Sequence, residues 1–380
     1  MWKQVKEFFY KLPIGFLLRN IILLESKPDM SDNTYYVYKE LLKRNINDNY
    51  RIVWFINDIN RFSDIREKNV YLVNRKDRVK YIYYSVISKY IIDCNEYIHK
   101  LNKNQFRIHL AHGMPIKNVK KYGSLMGHVD AFTSTSDFFN EILSEYFCVD
   151  KEKIIVTGYP RTDQFYIKEN PFYFIEKYNK VIAWMPTYRK TSGGACGYDS
   201  NFKYGVPCIN ESKQLEKLND VLNSNNCLLL IKLHPIENEE KIKRLNFSNI
   251  LFTKNEMFEN NHYNIYHLLS NVDALITDYS SVYYDFLLTN KPVGMAVPDL
   301  ERYKEEFGIA FDDFESNLPA HYIYSYDDLC DFIYSVINNE DMYVEQRKQK
   351  CMLYNKYNDG KSSKRVVDIL VKELNRKTNK

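Results

Sequence analysis

The stretch Asp273-Ala-Leu-Ile-Thr-Asp-Tyr-Ser-Ser-Val-Tyr-Tyr-Asp-Phe-Leu-Leu288 decides how the rest of the chain is interpreted. It predicts a buried strand over residues 274–277, a polar turn, and an apolar helix that begins at Val282. The start of such a helix offers backbone N–H groups and the positive end of the helix dipole to an anion. We therefore take the turn as a candidate phosphate site. The alternative is that Ser280 and Ser281 only cap the helix, which serine does frequently.

The composition describes a folded protein with more than one domain. The chain has 380 residues, too many for one ordinary core, which predicts two domains. Apolar residues make up 45% and charged residues 27%, and the net charge of +4 is too small for this length to require a nucleic-acid partner. Seven cysteines are scattered and never form a CxxC pair, which argues against a disulfide framework or a thiolate zinc site and favours a reducing cytoplasm.

The N-terminus combines aromatic, leucine and basic side chains, as in Trp2-Lys-Gln-Val-Lys-Glu-Phe-Phe-Tyr-Lys-Leu12. No run reaches the roughly 18 apolar residues of a spanning helix, and no cleavage pattern of a signal peptide is found. We expect residues 1–20 to form an amphipathic segment at a membrane surface, with rings at headgroup depth and basic groups toward anionic lipid. The alternative is a first helix that packs on its own domain.

From residue 21 onward, short apolar runs alternate with helical patterns, which is typical of parallel sheets with crossover helices. A polar stretch over residues 168–180 predicts a linker. We predict an α/β, GT-B-like fold with two Rossmann-like domains facing across a central cleft. The domains span residues 21–175 and 176–340, and a helical segment follows over residues 341–380. The predicted strands are 21–24, 51–56, 70–73, 90–93, 107–111, 131–134, 154–157, 181–185, 227–231, 250–253, 274–277 and 293–297.

Five polar boxes follow predicted strands, at the edge where parallel sheets bind their ligands. Any one of them is as readily an ordinary turn. Together their cations, histidines and hydroxyls indicate a phosphorylated ligand of the nucleotide type, while neither a Walker motif nor a G-x-G-x-x-G is present. In chain order, boxes one to five are His112-Gly-Met-Pro-Ile-Lys117, Gly158-Tyr-Pro-Arg-Thr-Asp163, Met185-Pro-Thr-Tyr-Arg189, Lys232-Leu-His-Pro235 and Thr277-Asp-Tyr-Ser-Ser281.

The five boxes in this order resemble the CDP-glycerol glycerophosphotransferase family, which builds teichoic acids and some capsular polymers. The family pattern is HG-x-P-x-K, G-x-PR-x-D, A-P-T-x-R, [RK]-LHP and ITDYSS-x-x-x-D, and the resemblance covers about residues 20–300. Glu25-Ser26 and Ser31-Asp32-Asn33 also resemble the family's first strand and turn. Ala111, Met185 and Tyr188 depart from the pattern, as do Glu306-Phe-Gly308 and Leu318-Pro-Ala320, where the family often has Arg-Gly and Pro-Gly-Pro. The later departures affect the expected identity of the substrate more than the expected class of reaction.

The resemblance implies transfer of glycerol phosphate, or a related polyol phosphate, from a CDP-activated donor to a hydroxyl, with release of CMP. CDP-glycerol or CDP-ribitol would be the donor, and a lipid-linked glycan or polyol-phosphate polymer the acceptor. Such a chain would work at the inner membrane surface, as a peripheral protein on the cytoplasmic face of the cell membrane. No cofactor, metal ion or nucleic acid is expected. The sequence leaves open whether the chain adds a first unit or extends a polymer.

The resemblance also suggests a role for each box. His112 would be the general base, because imidazole titrates near neutral pH, and Gly113 would let the acceptor approach. His234 would donate to a phosphate oxygen or protonate the leaving side. Asp285 would lie near the ribose or polyol hydroxyls. The predicted donor- and phosphate-binding residues are Gly113, Met114, Pro115, Ile116, Arg161, Pro186, Thr187, Arg189, Lys232, Leu233, Thr277, Ser280, Ser281 and Asp285.

Two other functions compete with this one. The first is a GT-B glycosyltransferase that uses a nucleotide sugar, which would share the cleft but use a different phosphate box. The second is a non-catalytic scaffold at the membrane, which predicts degraded boxes. Both box histidines and the basic residues are present, which disfavours the scaffold.

Overall fold

A computed structural model describes residues 10–11, 13, 15–95, 98–118, 127–187, 202–232, 246–253 and 263–378. The chain divides into two compact units. Unit one contains Met1–Met114, Val119–Tyr166 and Tyr354–Lys380, and unit two contains Pro115–Asn118 and Ile167–Leu353. Box one is thus divided between the units after Met114, and the C-terminus belongs to the same unit as the N-terminus.

Unit one is built on a seven-stranded sheet in which every neighbouring pair is parallel, in the order β3-β2-β1-β4-β5-β6-β7. Runs such as Ile21-Ile-Leu-Leu24 are buried throughout, as expected of strands covered on both faces. The strand order reverses between β1 and β4. The strands are β1 (Arg19–Glu25), β2 (Arg51–Ile56), β3 (Val70–Asn74), β4 (Ser88–Asp93), β5 (Phe106–His109), β6 (Ala131–Ser134) and β7 (Ile154–Val156).

Unit two is built on a six-stranded sheet, again with parallel pairs only, in the order β10-β9-β8-β11-β12-β13. Its order reverses between β8 and β11, and open α/β sheets bind ligands beyond the carboxyl ends of strands at such a switch point. The strands are β8 (Lys180–Trp184), β9 (Cys227–Lys232), β10 (Ile250–Thr253), β11 (Ala274–Thr277), β12 (Val293–Ala296) and β13 (His321–Ile323).

Helices connect the strands in both units. The described helices are α1 (Asp32–Lys43), α2 (Arg78–Ile87), α3 (Asp137–Phe147), α4 (Ser212–Ser224), α5 (Ile265–Asn271), α6 (Val282–Phe286), α7 (Leu300–Phe307), α8 (Phe314–Asn317), α9 (Tyr326–Asn338), α10 (Val344–Tyr354) and α11 (Ser362–Thr378). Short 3-10 helices lie at Gly15–Leu17, Ile46–Asp48, Ile59–Phe62, Lys151–Lys153, Pro160–Tyr166, Tyr173–Ile175 and Leu287–Thr289. None of the described helices is both long and apolar enough to cross a membrane.

The structure confirms the α/β class and locates a strand at every predicted apolar run. The three-residue edge strand β13 was not predicted, because a run that short carries no periodicity. The helical segment predicted over 341–380 is two helices, α10 and α11, and α11 packs in the core of unit one, where Val366 and Leu370 meet Val37 and Leu41 of α1. That the two domains face across a cleft stays a prediction.

Candidate active site

Boxes three and five are joined at the switch point of unit two. Box three follows β8 and box five follows β11, and these strands are neighbours. The backbone N–H of Thr187 lies 3.0 and 2.9 Å from the two carboxylate oxygens of Asp278, and the Thr187 hydroxyl also donates to this carboxylate. Met185 N–H donates to the Ile276 carbonyl at 2.8 Å. The two boxes therefore form one structural element.

Asp278 is the residue of this element that the sequence prediction omits. It is fully buried, and a buried carboxylate is tolerated when donors surround it. The sequence signal that points to Asp278 is an acidic residue directly after a buried strand. The neighbouring hydroxyls of the same box draw attention away from it, because they are the more obvious ligand contacts. Asp278 holds the turn, and it leaves Ser280 and Ser281, both half-buried, at its outer side.

The serines do not act as simple helix caps. Ser281 occupies the N-cap position of α6, but its side chain makes no capping hydrogen bond. The N–H of Val282 lies 3.5 Å from the Ser280 hydroxyl, at the outer limit of a hydrogen bond. Helix α6 is only five residues long, so its dipole alone is a weak attraction for an anion. The predicted phosphate contact of this turn stays a prediction, and it depends on the hydroxyls more than on the helix.

Two other predicted residues of box five and its helix are engaged inside unit two. The hydroxyl of Thr277 donates to the Met185 carbonyl at 3.2 Å. Asp285 is buried, and its Oδ2 accepts a hydrogen bond from the Tyr266 hydroxyl at 2.6 Å. These contacts tie α5 and box three to box five. That Asp285 lies near the donor's ribose or polyol stays a prediction.

Box four is described only at its first residue. Lys232 ends β9, half-buried, beside β8 and β10. Leu233 and His234 lie outside the described residues, as does Arg189 of box three, while Pro186 is half-buried beside Thr187. The roles proposed for these side chains stay predictions.

A cavity of about 540 Å³ opens beyond the carboxyl end of β12. Asp299 forms part of its wall and accepts a hydrogen bond from the Tyr279 hydroxyl at 2.9 Å. Tyr279 belongs to box five, and its ring stacks on Tyr303 with the ring centroids 3.5 Å apart. Box five is therefore anchored to the edge of unit two at which this cavity opens.

The second half of box one is built into unit two. The Pro115 carbonyl accepts a hydrogen bond from Tyr284 of α6 at 3.4 Å, and Lys117 forms an antiparallel bridge with Ile309. Met114, Pro115 and Ile116 are all buried. Pro115 therefore anchors the chain in unit two, and the contact of all three predicted residues with the donor stays a prediction.

His112 is exposed, at the end of a short connection that leaves β5. The residue before it, Ala111, has a φ of +50°, a left-handed conformation that alanine rarely adopts. The Ala111 carbonyl accepts hydrogen bonds from Asn33 Nδ2 at 2.8 Å and from the Cys94 thiol at 2.9 Å. The backbone at His112 is therefore fixed by side chains from elsewhere in unit one.

Arg161 of box two is one of those side chains. Its Nη1 donates to the carbonyl of His112 at 2.7 Å and to Asp32 Oδ1 at 2.8 Å. Its guanidinium also lies 5.2 Å from the centroid of the Tyr159 ring. The structure thus brings Arg161 to box one, through contacts that sequence reasoning did not anticipate. Its predicted contact with the diphosphate stays a prediction.

The rest of box two holds the C-terminal helix. The two carboxylate oxygens of Asp163 accept hydrogen bonds from the backbone N–H groups of Ser362 and Ser363 at 2.8 and 2.9 Å, and burial raises the pKa of this carboxyl. Gly158 has a φ of +74°, and a Cβ added there would lie 2.5 Å from the Ser362 hydroxyl. Box two therefore holds the start of α11 in place within unit one.

Asp93, Arg107 and His109 form a buried cluster of ionisable side chains on β4 and β5, the second of which leads into box one. Arg107 donates to both carboxylate oxygens of Asp93, at 3.1 and 2.7 Å, and His109 Nδ1 lies 3.3 Å from Asp93 Oδ1. Burial alone would raise the pKa of Asp93, but Arg107 and His109 outweigh it and hold the pKa at about 2. Burial lowers the pKa of His109, against the opposing attraction of Asp93. Among the described residues, no group of three or more His, Cys, Asp or Glu is arranged to hold a metal ion.

Two units, each built on a parallel sheet with helices, define an α/β protein. The fold is that of the wall teichoic acid polymerase TagF, a variant of which has 19% identity and a TM-score of 0.76 over 99% of this chain and 95% of its own. A UDP-GlcNAc 2-epimerase from Neisseria meningitidis has 14% identity and a TM-score of 0.55, and the match covers 93% of this chain and 99% of the epimerase chain.

The chain belongs to the CDP-glycerol:poly(glycerophosphate) glycerophosphotransferase family, whose sequence model matches residues 7–372. The family match confirms the resemblance and the enzyme class predicted from the five boxes, and the likeness to solved structures confirms the GT-B-like fold.

Similar curated proteins act in teichoic acid synthesis. The teichoic acid ribitol-phosphate polymerase TarK of Staphylococcus aureus is 28% identical over 91% of this chain, and the match covers 67% of TarK. TarL of the same organism is 27% identical over 90% of this chain, with 60% of TarL covered. A teichoic acid poly(glycerol phosphate) polymerase of Bacillus spizizenii is 26% identical, with 94% of each chain covered. The matches therefore span 67% of TarK, 60% of TarL and nearly all of the Bacillus spizizenii protein.

Proposed function

We propose that this chain transfers glycerol phosphate or ribitol phosphate from a CDP-activated donor to an acceptor hydroxyl in teichoic acid or capsular polymer synthesis. The acceptor oxygen bonds to the donor's β-phosphorus, the bond from that phosphorus to the bridging oxygen breaks, and CMP leaves with the bridging oxygen. The observation that carries the proposal is the Thr187–Asp278 contact, which joins two family boxes into one turn at a switch point.

The donor diphosphate binds at this turn in unit two. Ser280 and Ser281 offer hydroxyls beside a backbone that Asp278 holds in place. Lys232 ends β9, Arg189 comes five residues after β8 in the sequence, and both supply positive charge to phosphate oxygens. In phosphoryl transfer, catalysis consists mostly of positioning and of neutralising oxygen charge, which is what such a set provides.

His112 takes the proton from the acceptor hydroxyl. It is exposed, its backbone is fixed, and a neutral imidazole is a suitable base near pH 7. His234 stabilises the leaving side by donating to a phosphate oxygen or to CMP. Groups in such roles each contribute about 10²–10⁴-fold in rate.

The acceptor is a lipid-linked glycan or a polyol-phosphate polymer at the cytoplasmic face of the cell membrane. Helix α2 supports a membrane contact, because Val79, Ile82 and Tyr83 share one face and are 79%, 58% and 53% exposed. Arg78 and Lys80 flank that face, and Phe16 near the start of β1 is 76% exposed. An apolar face beside basic groups suits an anionic lipid surface.

Release of CMP tests the reaction directly. Purified protein is incubated with CDP-glycerol, CDP-ribitol or UDP-sugars, each with a polyol-phosphate or lipid-linked acceptor, and the released nucleotide is measured. We expect CMP from at least one CDP-polyol and no UDP from any UDP-sugar. Release of UDP alone would favour the nucleotide-sugar transferase, and donor binding without turnover would favour the scaffold.

A further inference from the structure

Three successive backbone carbonyls between β5 and His112 are each bound by a buried side chain. The Leu110 carbonyl accepts from the Thr133 hydroxyl at 2.6 Å, the Ala111 carbonyl from Asn33 Nδ2 at 2.8 Å, and the His112 carbonyl from Arg161 Nη1 at 2.7 Å. The donors come from β6, from α1 and from the 3-10 helix Pro160–Tyr166. Leu110 and Ala111 are buried, so their carbonyls need partners within the protein, whereas the carbonyl of exposed His112 is held by Arg161 although water could serve it.

The three donors hold a backbone that would otherwise relax. Ala111 has positive φ, and a non-glycine residue keeps such a conformation only where its surroundings impose it. Asn33 and Cys94 both donate to the Ala111 carbonyl, and both are buried. The position of the Ala111 carbonyl fixes the peptide group that joins Ala111 to His112, so it also fixes where the backbone of His112 lies.

Arg161 and Asn33 also bind each other. The backbone N–H of Arg161 donates to Asn33 Oδ1 at 3.1 Å, and Asp32 balances the guanidinium charge. Only 5% of the Arg161 side chain is exposed, which leaves little of it for a ligand. The contacts of Arg161 are therefore directed inward, to the backbone of box one.

We infer that Asn33, Thr133 and Arg161 are positioning residues that fix His112 by binding these three carbonyls. We call these three side chains the carbonyl clamp. The inference rests on the proposed function only in taking His112 as the base. A base acts within hydrogen-bond reach of its proton, and an error of 1 Å in its position can cost about 10²-fold in rate. The clamp assigns Arg161 to the placement of His112, where the sequence had suggested the diphosphate.

Kinetic variants separate these two roles for Arg161. In R161K a single ammonium nitrogen replaces the planar guanidinium fork, and in N33D the amide donor is lost. We expect kcat for CMP release to fall at least tenfold in both, with the donor KM and the inhibition constant of CMP within twofold of wild type. A tenfold rise in donor KM with kcat preserved would overturn the inference and make Arg161 a diphosphate ligand.

Thr133 provides a milder test in case a charged variant fails to fold. T133V removes the hydroxyl while keeping the shape of the side chain, and T133S keeps the hydroxyl. We expect T133V to lose kcat and T133S to recover most of it, both with donor KM unchanged. Equal activity in wild type, T133V and T133S would remove Thr133 from the clamp. K151M, at an exposed residue of unit one, is the control.

A readout that does not depend on activity distinguishes failure of the clamp from failure of the proposed function. The rate at which diethyl pyrocarbonate modifies His112 is measured by mass spectrometry, with His128, also exposed, as the internal reference. We expect the His112 rate to change at least threefold in T133V and R161K, with the His128 rate constant. If wild type releases no CMP, the proposed function fails while this measurement still tests the clamp. An unchanged His112 rate in both variants contradicts the clamp.

Discussion

Thr187 donates both its backbone N–H and its hydroxyl to the carboxylate of Asp278, a residue 91 positions further along the chain. This contact makes one turn out of two loops that follow neighbouring strands, β8 and β11. Boxes three and five are therefore structurally coupled, because the position of one loop depends on the position of the other.

Asp278→Asn should loosen this turn. An amide nitrogen cannot accept a hydrogen bond, so at least one contact with Thr187 is lost inside a buried site. We expect the free energy of unfolding to fall by about 1–3 kcal/mol in a urea titration. The donor KM should rise about tenfold, equivalent to ~1.4 kcal/mol.

Asp327→Asn is the matched control for this substitution, because it makes the same change on the exposed surface of the same unit. It should leave both quantities unchanged. A stable Asp278→Asn protein with wild-type donor KM would separate this carboxylate from the donor turn.

His112→Ala should abolish most of the transfer. Without a base to take the acceptor proton, kcat for CMP release should fall by about 10²–10⁴-fold, while the affinity for CMP stays the same. His128→Ala removes another exposed histidine of unit one and should retain full activity. Near-normal turnover by the His112 variant would show that the base is elsewhere.

Asp163→Ala should detach the C-terminal helix before it affects the reaction. The substitution leaves the first N–H groups of α11 without their acceptor. We expect a loss of about 1–3 kcal/mol in the free energy of unfolding and faster proteolysis within residues 354–380. Asp150→Ala removes one partner of an exposed ion pair with Lys153, and it should leave both the free energy of unfolding and the rate of proteolysis close to wild type. Unchanged proteolysis would mean that other contacts hold the helix.

The contribution of His109 to the stability of unit one should decrease in mild acid. The folded state lowers the pKa of His109 below its ordinary 6.5, so it binds fewer protons than the unfolded state does. The stabilisation is complete above pH 6.5 and is lost as the pH falls through the lowered pKa. Asp93, with a pKa of about 2, loses its stabilising effect only below its ordinary 3.8.

Unfolding titrations between pH 8 and pH 4.5 test this by comparing wild type with His109→Gln, because Asp93 stays ionised in that window and the raised pKa of Asp163 affects both proteins alike. Wild type should lose stability as the pH falls, and His109→Gln should show a smaller slope. His128→Gln, at an exposed position, should follow wild type. Parallel slopes for wild type and His109→Gln would rule out His109 as the source.

The exposed face of α2 should determine binding to lipid. Val79→Ser combined with Ile82→Ser removes the two most exposed aliphatic side chains of that helix. We expect wild type to float with vesicles that contain anionic lipid, and the double variant to float at least threefold less. Met352→Ser, at an exposed apolar position of unit two, should float like wild type. Equal flotation of the α2 variant would leave the N-terminal segment as the remaining candidate for this contact.

The strands and the boxes were predictable because each depends on local pattern. Buried parallel strands are unbroken apolar runs, and turns that follow them carry polar residues at the carboxyl edge. The direction in which a box side chain points is not local. Arg161 looks like a phosphate ligand in the sequence, yet its partners include Asp32 and the His112 carbonyl, far away along the chain.

The C-terminal helix shows the same limit. Its pattern predicted a helix, but nothing in that pattern names α1 and box two as its neighbours. The contacts of Asp163 with Ser362 and Ser363 join residues about 200 positions apart. Asp278 was omitted for a related reason: an acid among hydroxyls attracts less attention than the hydroxyls, although it is the buried member.

The return of α11 to unit one fixes the order in which the protein can be completed during synthesis. Unit two is nearly continuous in the chain, from Ile167 to Leu353, and most of its residues leave the ribosome before α11 does. Unit one begins to emerge first, but its core includes Val366, Val367 and Leu370. The half of the chain that is made first is therefore the half that finishes folding last, and its apolar surface on α1 lacks the packing of α11 until residues 362–378 have been made.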